Sequence, residues 1–381
     1  MKKLLTLLLT FSMCLSLLAC GNSQNAPDSE TRKPGNSSIS NNQNSENENT
    51  SPTIDTSKPI TVTFDEATKT LTVSGYGVLS SHKCKSYADV ATQIIIEEGC
   101  TSIDDKTFSD FSNVTKVSLP STLTSIGKWG FSNCNSLVEI DLPDSIISIG
   151  DYAFKRCKSL TAMDLPKQLQ TLGTLAFENC ESLTQVSVYE EIRSIYGSAF
   201  KFCPLEFTVY NNVEYLGNSK NPYLVAVSAD NLDGDTCTIA DTCLVIGGNA
   251  FEASKISNIV IPDSVKHICG GAFRRCNLSS VTLPKNLLTL GGECFRENRG
   301  LTMIDLPDTV TFIGTYAFKE CYNLETVNLP SSLKEIENDP FMATDISEMI
   351  YNGTKAQWET ITKEKSGTSA IVHCTDGDVD F

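Results

Sequence analysis

The sequence predicts a β-rich repeat solenoid, a stack of about ten coils of 22–23 residues in which short strands alternate with helical or 3₁₀ turns. The first observation is a file of spaced phenylalanines: Phe108, Phe131, Phe154, Phe177 and Phe200, then Phe251, Phe273, Phe295, Phe318 and Phe341, at intervals of 22 or 23 residues with a single gap of 51. The second is the string that recurs around each Phe, cleanest in Leu160-Thr-Ala-Met-Asp-Leu-Pro166 followed by Leu169, Leu172, Gly173, Ala176, Phe177 and Cys180. The third is size. One coil this short cannot bury its own apolar edge, whereas stacked coils share a continuous core with neighbouring strands about 4.8 Å apart.

In chain order, residues 1–19 read as an export signal. Lys2 and Lys3 precede an apolar run from Leu4 to Leu18 that is too short to span a bilayer comfortably. The run closes in Leu17-Leu18-Ala19-Cys20-Gly21, which resembles the lipobox of bacterial lipoproteins, and that resemblance implies acylation of Cys20 as the new first residue. Each buried CH₂ of a lipid contributes about 0.8 kcal/mol, so several acyl chains would hold the protein outside the cytoplasm, touching the membrane through the lipid alone. Residues 20–58 form the tether. From Gly21 to Lys58 there are eight Asn, eight Ser, no aromatic residue, and only Ile39 and Ile54 among the large aliphatics. That composition cannot offset chain entropy, and a solvated chain of this length spans roughly 30–35 Å.

The chain carries a formal net charge of −16, and removal of Lys2 and Lys3 leaves 28 basic against 46 acidic residues. A balance this acidic argues against nucleic acid or a bare anionic membrane as partner.

Residues 59–99 are expected to cap the first coil. Between Ile60 and Gly77, Val62, Phe64, Leu71 and Val73 alternate around Asp65 to Lys69 as in a hairpin. The solenoid proper covers 100–349. In Ser136-Leu-Val-Glu-Ile-Asp-Leu-Pro143, Ile140 and Leu142 alternate as a short strand ended by Pro143. Ile146 and Ile149 mark a second extended stretch, Gly150 a turn, and Asp151 to Cys157 a helical or 3₁₀ turn burying Ala153 and Phe154.

These pieces, L-x-x-[IV]-x-[IL]-P, x-x-[VL]-x-x-[IL]-G and A-F-x-x-C, recur over roughly Cys100 to Ile350 and resemble the BspA-like leucine-rich repeats of bacterial surface proteins. The resemblance implies a leucine-rich repeat solenoid that binds rather than catalyses, attached at the cell surface and meeting host matrix proteins or other cells. Some units depart from the pattern: Tyr189 replaces Pro, Asn298 replaces Cys, Cys269 and Glu337 replace Gly, and Pro340 replaces Ala.

The gap of 51 residues is read as a modified insert, 204–246, with a protruding hairpin turning near Asp233-Gly234. Its Tyr210, Tyr215 and Tyr223 are candidate contacts for a partner. Residues 350–381, with Tyr351-Asn-Gly-Thr354 and Trp358, are expected to seal the far end.

Few residues offer chemistry. Cys134, Cys157, Cys180, Cys203, Cys276 and Cys321 each lie three residues after a repeat Phe, so they stack in one internal row. A disulfide needs Cβ atoms near 3.8 Å pointing together, and parallel neighbours in a stack do not meet that need, so free buried thiols are expected. Cys237 and Cys243, outside the row, are the better bridge candidates. No C-x-x-C, H-E-x-x-H, G-x-S-x-G, P-loop or G-x-G-x-x-G after a strand occurs, so neither a metal site, a cofactor nor an enzyme activity is expected. His267, between the inward positions Val265 and Ile268, is expected at the surface. Asp230 to Asp235 and Asp376-Gly-Asp378 lack the spacing of a calcium loop and read as turns.

The candidate binding face is the outward row of the first strand. Asp141, Asp164 and Asp305 stack there with Ser118, Ser187, Val260, Thr282 and Asn328, and Glu139, Asp144, Asp263 and Asp308 flank them. An acidic solenoid face favours a basic protein patch, with a glycan as the alternative, and disfavours sulfated glycans. Trp129 and Trp358, the only tryptophans, fit packing roles.

Overall fold

The computed structural model describes residues 55–229, 236–364 and 368–381. The export signal, Cys20, the tether up to residue 54 and the expected turn at Asp233-Gly234 lie outside the described residues. The rest is a β-solenoid of about 13 turns with nearly no helix. Among the described residues only Lys355–Thr360 is α-helical, started by a capping box between Thr354 and Gln357 and burying Trp358.

Each coil has three sides. The first side is the strand before the proline, for example Ala162–Asp164 paired in parallel with Gln185–Ser187, where Met163 points inward and Ala162 and Asp164 outward. The second side is a two-residue strand followed by the recurrent glycine of the string, as in Ser148–Ile149 paired with Thr171–Leu172. A Cβ on Gly150 would stand 2.7 Å from the Lys128 backbone nitrogen of the coil before, so this coil needs glycine there, although Cys269 and Glu337 take the same place in two others.

The third side carries the phenylalanine and is not a continuous helical turn. Residues two before and two after each Phe take left-handed backbone: Trp129 (φ 60) and Asn133 (φ 60) around Phe131, Tyr152 (φ 58) and Arg156 (φ 60) around Phe154. This turns their N–H groups along the stack. Trp129, Phe131 and Asn133 donate to the carbonyls of Asp151, Ala153 and Lys155 in the next coil at 3.0, 2.7 and 2.7 Å, while Ser132 closes a turn onto Trp129 within its own coil. The left-handed residues stop any helix from propagating, and the inter-coil bonds offset their strain. Gly197–Phe200 forms a short 3₁₀ helix instead.

Phenylalanine rings stack in two files, Phe108 to Phe200 and Phe251 to Phe341, with centroids 5.1–5.5 Å apart. Two cores match them, one running from Ile60 to Val227 with Val245 and Cys269, the other from Val213 to Val372. Between them the chain makes an antiparallel hairpin, Thr208–Tyr210 with Val213–Leu216, which joins Val225–Ser228 and then the parallel second-side ladder of the C-terminal half. At both ends parallel pairing gives way to antiparallel hairpins, Thr61–Asp65 with Thr70–Ser74 and Ile371–Cys374 with Gly377–Asp380. The latter turns through Asp376, whose carboxylate accepts the Lys355 N–H at 2.8 Å.

Candidate functional site

The cysteines are part of the framework. Each row thiol donates to the carbonyl of the Phe one coil earlier: Cys134 to Phe108 at 3.3 Å, Cys157 to Phe131 at 3.2 Å, Cys276 to Phe251 at 3.0 Å and Cys321 to Phe295 at 3.2 Å. Asn298, standing in the Cys position, does the same through Nδ2 to Phe273 at 2.7 Å. All cysteines among the described residues are free, Cys237 and Cys243 included. Burial pushes the Cys321 and Cys243 thiols up to about 12 and Cys276 to about 11. Thiols so reluctant to ionise are poor nucleophiles and poor metal ligands.

On the first side, Glu139, Asp141, Asp144, Asp164, Asp263, Asp305 and Asp308 are all exposed. Asp144 pairs with Lys167 at 2.9 Å, and that bond holds its carboxyl below the usual range; Asp263 is held below it first by the Lys285 backbone N–H at 3.0 Å and then by the Lys285 ammonium at 3.4 Å. Asp164 accepts the Tyr189 hydroxyl at 2.8 Å, so the residue standing where other coils have Pro braces the acidic row. Glu139, Asp141, Asp305 and Asp308 form no ion pair among the described residues.

The first-side ladder is also interrupted. Its strands fall into separate sheets between Glu139–Ile140 and Ala162–Asp164, and again around residues 279–283, which form no strand. A recess of about 360 Å³ opens at the first break beside Glu139, Asp141 and Asp164, and one of about 460 Å³ at the second beside Thr282, Met303 and Asp305.

The insert tyrosines separate. Tyr215 is buried and its hydroxyl accepts the Ala240 N–H at 3.1 Å, so it cannot meet a partner; the expectation that it would is corrected by its place in the C-terminal core. Tyr223 is half-buried and packs edge-on to Tyr215, with ring centroids 5.6 Å apart. Tyr210 alone is exposed.

His267 is likewise buried, not at the surface. Its ring bonds the Thr289 hydroxyl at 2.8 Å, and desolvation, then Arg193 and Lys266, push it down to about 4.

Sequence reading passed over the second side. There Ser102, Ser125, Ser148, Thr171 and Ser194 stand in register, one per coil. All but Ser102 line a groove of about 490 Å³ bordered by Lys128 and Asp151, which pair at 2.9 Å, and by Tyr196. The signal was present as the residue before each inward Ile or Leu. Around the corner Trp129 stacks on Tyr152, centroids 4.2 Å apart, with the Lys155 ammonium 5.4 and 5.1 Å from the two rings.

Compared with known families, the sequence matches the BspA type leucine rich repeat region over residues 83–219 and 244–363, in six copies. The chain belongs to this family. The unmatched stretch between the two blocks of BspA-type repeats falls within the insert. A comparison with curated proteins finds no match. Among solved structures, the chain is similar to a leucine rich cell surface protein from Faecalibacterium prausnitzii A2-165, with 21% identity over 80% of this chain and 96% of that one and a TM-score of 0.40. It is also similar to a leucine-rich repeat protein from Bacteroides ovatus ATCC 8483 (17%, 80% and 97%, 0.33) and to the pneumococcal vaccine antigen PcpA (17%, 80% and 96%, 0.32).

Proposed function

We propose that this BspA-type repeat protein is a cell-surface binding protein, exported and held outside the cell by a lipid on Cys20, that presents its first-side row to a basic patch on a partner protein such as host matrix or another cell. The reading assigns it no catalytic role. The observation that carries it is the set of exposed, unpaired carboxylates Glu139, Asp141 and Asp305 beside the two recesses where the first-side ladder opens. Such a surface steers a cationic partner and loses affinity as salt rises. The test is binding of the purified chain to matrix proteins at two salt concentrations, with Asp141→Lys, Asp164→Lys and Asp305→Lys combined. Loss of binding with an unchanged melting temperature is the expected outcome; unchanged affinity removes this face.

One observation favours a second reading, capture of an uncharged glycan as an accessory lipoprotein. The second-side groove is floored by Ser125, Ser148, Thr171 and Ser194, short hydroxyl groups suited to a sugar hydroxyl array. Binding to a glycan array that is indifferent to salt and survives the Lys substitutions supports this alternative over the first.

A further inference from the structure

The two cores meet along the second side, and a histidine stands in the seam. Ile246 and Ile268 point into the C-terminal core, whereas Val245 and Cys269 belong to the N-terminal one. His267 occupies the same outward row, in register with Val245 and Thr289, and is buried. What covers this row is the last coil of the N-terminal half. The Gly248 N–H donates to the Ile195 carbonyl at 2.7 Å, and the Cys269 thiol reaches the Arg193 carbonyl at 3.5 Å. Gly248 and Gly270 leave room for Tyr196, whose ring and hydroxyl occupy the space a Cβ would need.

The groups that face the imidazole can be taken element by element. The next coil offers the Thr289 hydroxyl at 2.8 Å, the previous coil the apolar Val245, its own strand Lys266 and the thiol of Cys269, and the covering segment Arg193. The charged groups acting on it are both cations, and no carboxylate is among them.

We propose that His267 makes the seam acid-sensitive: as neutral imidazole it lets residues 193–196 close over the C-terminal coils, and as imidazolium it loosens that docking and uncouples the two halves. A charge arriving there is desolvated and meets only like charge, so protonation is easier once the segment lifts. The closed seam holds its proton only near pH 4, against 6.5 for a free imidazole. The closed state therefore has its full advantage above pH 6.5, and loses it progressively as pH falls from 6.5 toward 4. Values of 6.5 and about 4 imply that the closing equilibrium weakens by roughly 20-fold between about pH 7 and pH 5.

The sequence has only three histidines, so ring-proton NMR of the full chain resolves the question. The signal absent from His267→Gln identifies the residue, and Gln keeps a partner for Thr289. The expected result is that His267 stays neutral to about pH 5, while His373, held up by the Asp378 carboxylate, titrates above it. Hydrogen exchange, corrected for its intrinsic pH dependence, is expected to show the Gly248 amide, which donates across the seam to Ile195, losing protection toward pH 5 in the wild type and not in His267→Gln. Arg193→Gln, which removes one of the two cations, is expected to raise the His267 titration. A His267 that titrates near 6.5, or a protection loss identical in the two proteins, overturns the proposal. Should His267→Gln fail to fold, the comparison of the wild type with Arg193→Gln decides it: an unmoved His267 titration overturns it.

Discussion

The N-terminal and C-terminal halves use one coil and differ in what its second side faces. In the N-terminal half the outward row is Ser102, Ser125, Ser148, Thr171 and Ser194, open to a groove. In the C-terminal half the same positions are Val245, His267, Thr289, Phe312 and Glu335, and the first two are buried. Inward residues barely change, because stacking fixes their size and shape. Outward residues follow whatever lies over them, which is water along the N-terminal groove and the other half of the molecule at the seam. A single strand position thus moves from surface to core without any change in the coil that carries it.

The largest effect should come from the phenylalanine files. Phe154 and Phe295 each stack between two rings near the middle of their own file. Replacing either with Ala is expected to cost about 3–5 kcal/mol, from lost burial and the cavity left behind. Because the files do not continue across the insert, Phe154→Ala should lower hydrogen-exchange protection in the coils up to Phe200, and Phe295→Ala in those from Phe251 onward. Equal loss in both halves for either variant would show the seam to be as cooperative as any coil interface and would break the comparison.

A smaller effect is expected where one coil of the C-terminal half, at Asn298, satisfies the phenylalanine carbonyl with an amide and the N-terminal coils do so with a thiol. Asn298 donates to the Phe273 carbonyl and also accepts the Leu278 N–H at 3.3 Å, whereas Cys157 in the N-terminal half donates only. Asn298→Ala leaves the Leu278 N–H without its partner and the Phe273 carbonyl with only the Cys276 N–H at 3.4 Å, and should cost about 1–3 kcal/mol in urea unfolding. Asn298→Cys restores the donor and should recover part of that loss. If Asn298→Ala costs no more than Cys157→Ala, the amide adds nothing beyond filling space.

The solenoid was legible because its determinants are local and periodic: a proline that ends the strand, a glycine at the corner of most coils, and a phenylalanine every 22 or 23 residues. The left-handed backbone of the third side was not. Lys106, Trp129, Tyr152 and Tyr316 are not residues with a preference for positive φ, and bonds to the next coil hold them there. The role of the cysteine row was half visible. Position predicted buried thiols, but that each thiol completes a phenylalanine carbonyl shows only when Asn298 is seen to make the same bond. Tyr215 and His267 were misplaced for a shared reason. Strand alternation tells which way a side chain points, and says nothing about whether another part of the chain lies there. The outward acidic residues Asp141, Asp164 and Asp305 are exposed, but the breaks in the ladder beside them depend on coil spacing, which no residue pattern encodes.

The smallest effect separates the halves by charge. On the third side of the C-terminal half, Arg274 bridges Glu252 and Glu293, the latter at 2.7 Å, and Arg296 continues from Glu293 to Glu320 at 3.5 and 3.2 Å. These side chains are only 21–31% exposed. The N-terminal pair Lys128–Asp151 is a single contact whose lysine is 60% exposed. A shared network holds its long side chains with less entropy lost per contact, and partial burial shields it from salt, so Arg274→Ala should cost about 1 kcal/mol and Lys128→Ala no more than about 0.5 kcal/mol. Melting curves at low and high salt distinguish the two. The cost of Lys128→Ala should vanish at high salt, and that of Arg274→Ala should persist in part, since the half-buried Glu252 would lose its counter-charge while Glu293 keeps Arg296. If both costs vanish together, the network is worth no more than one exposed pair.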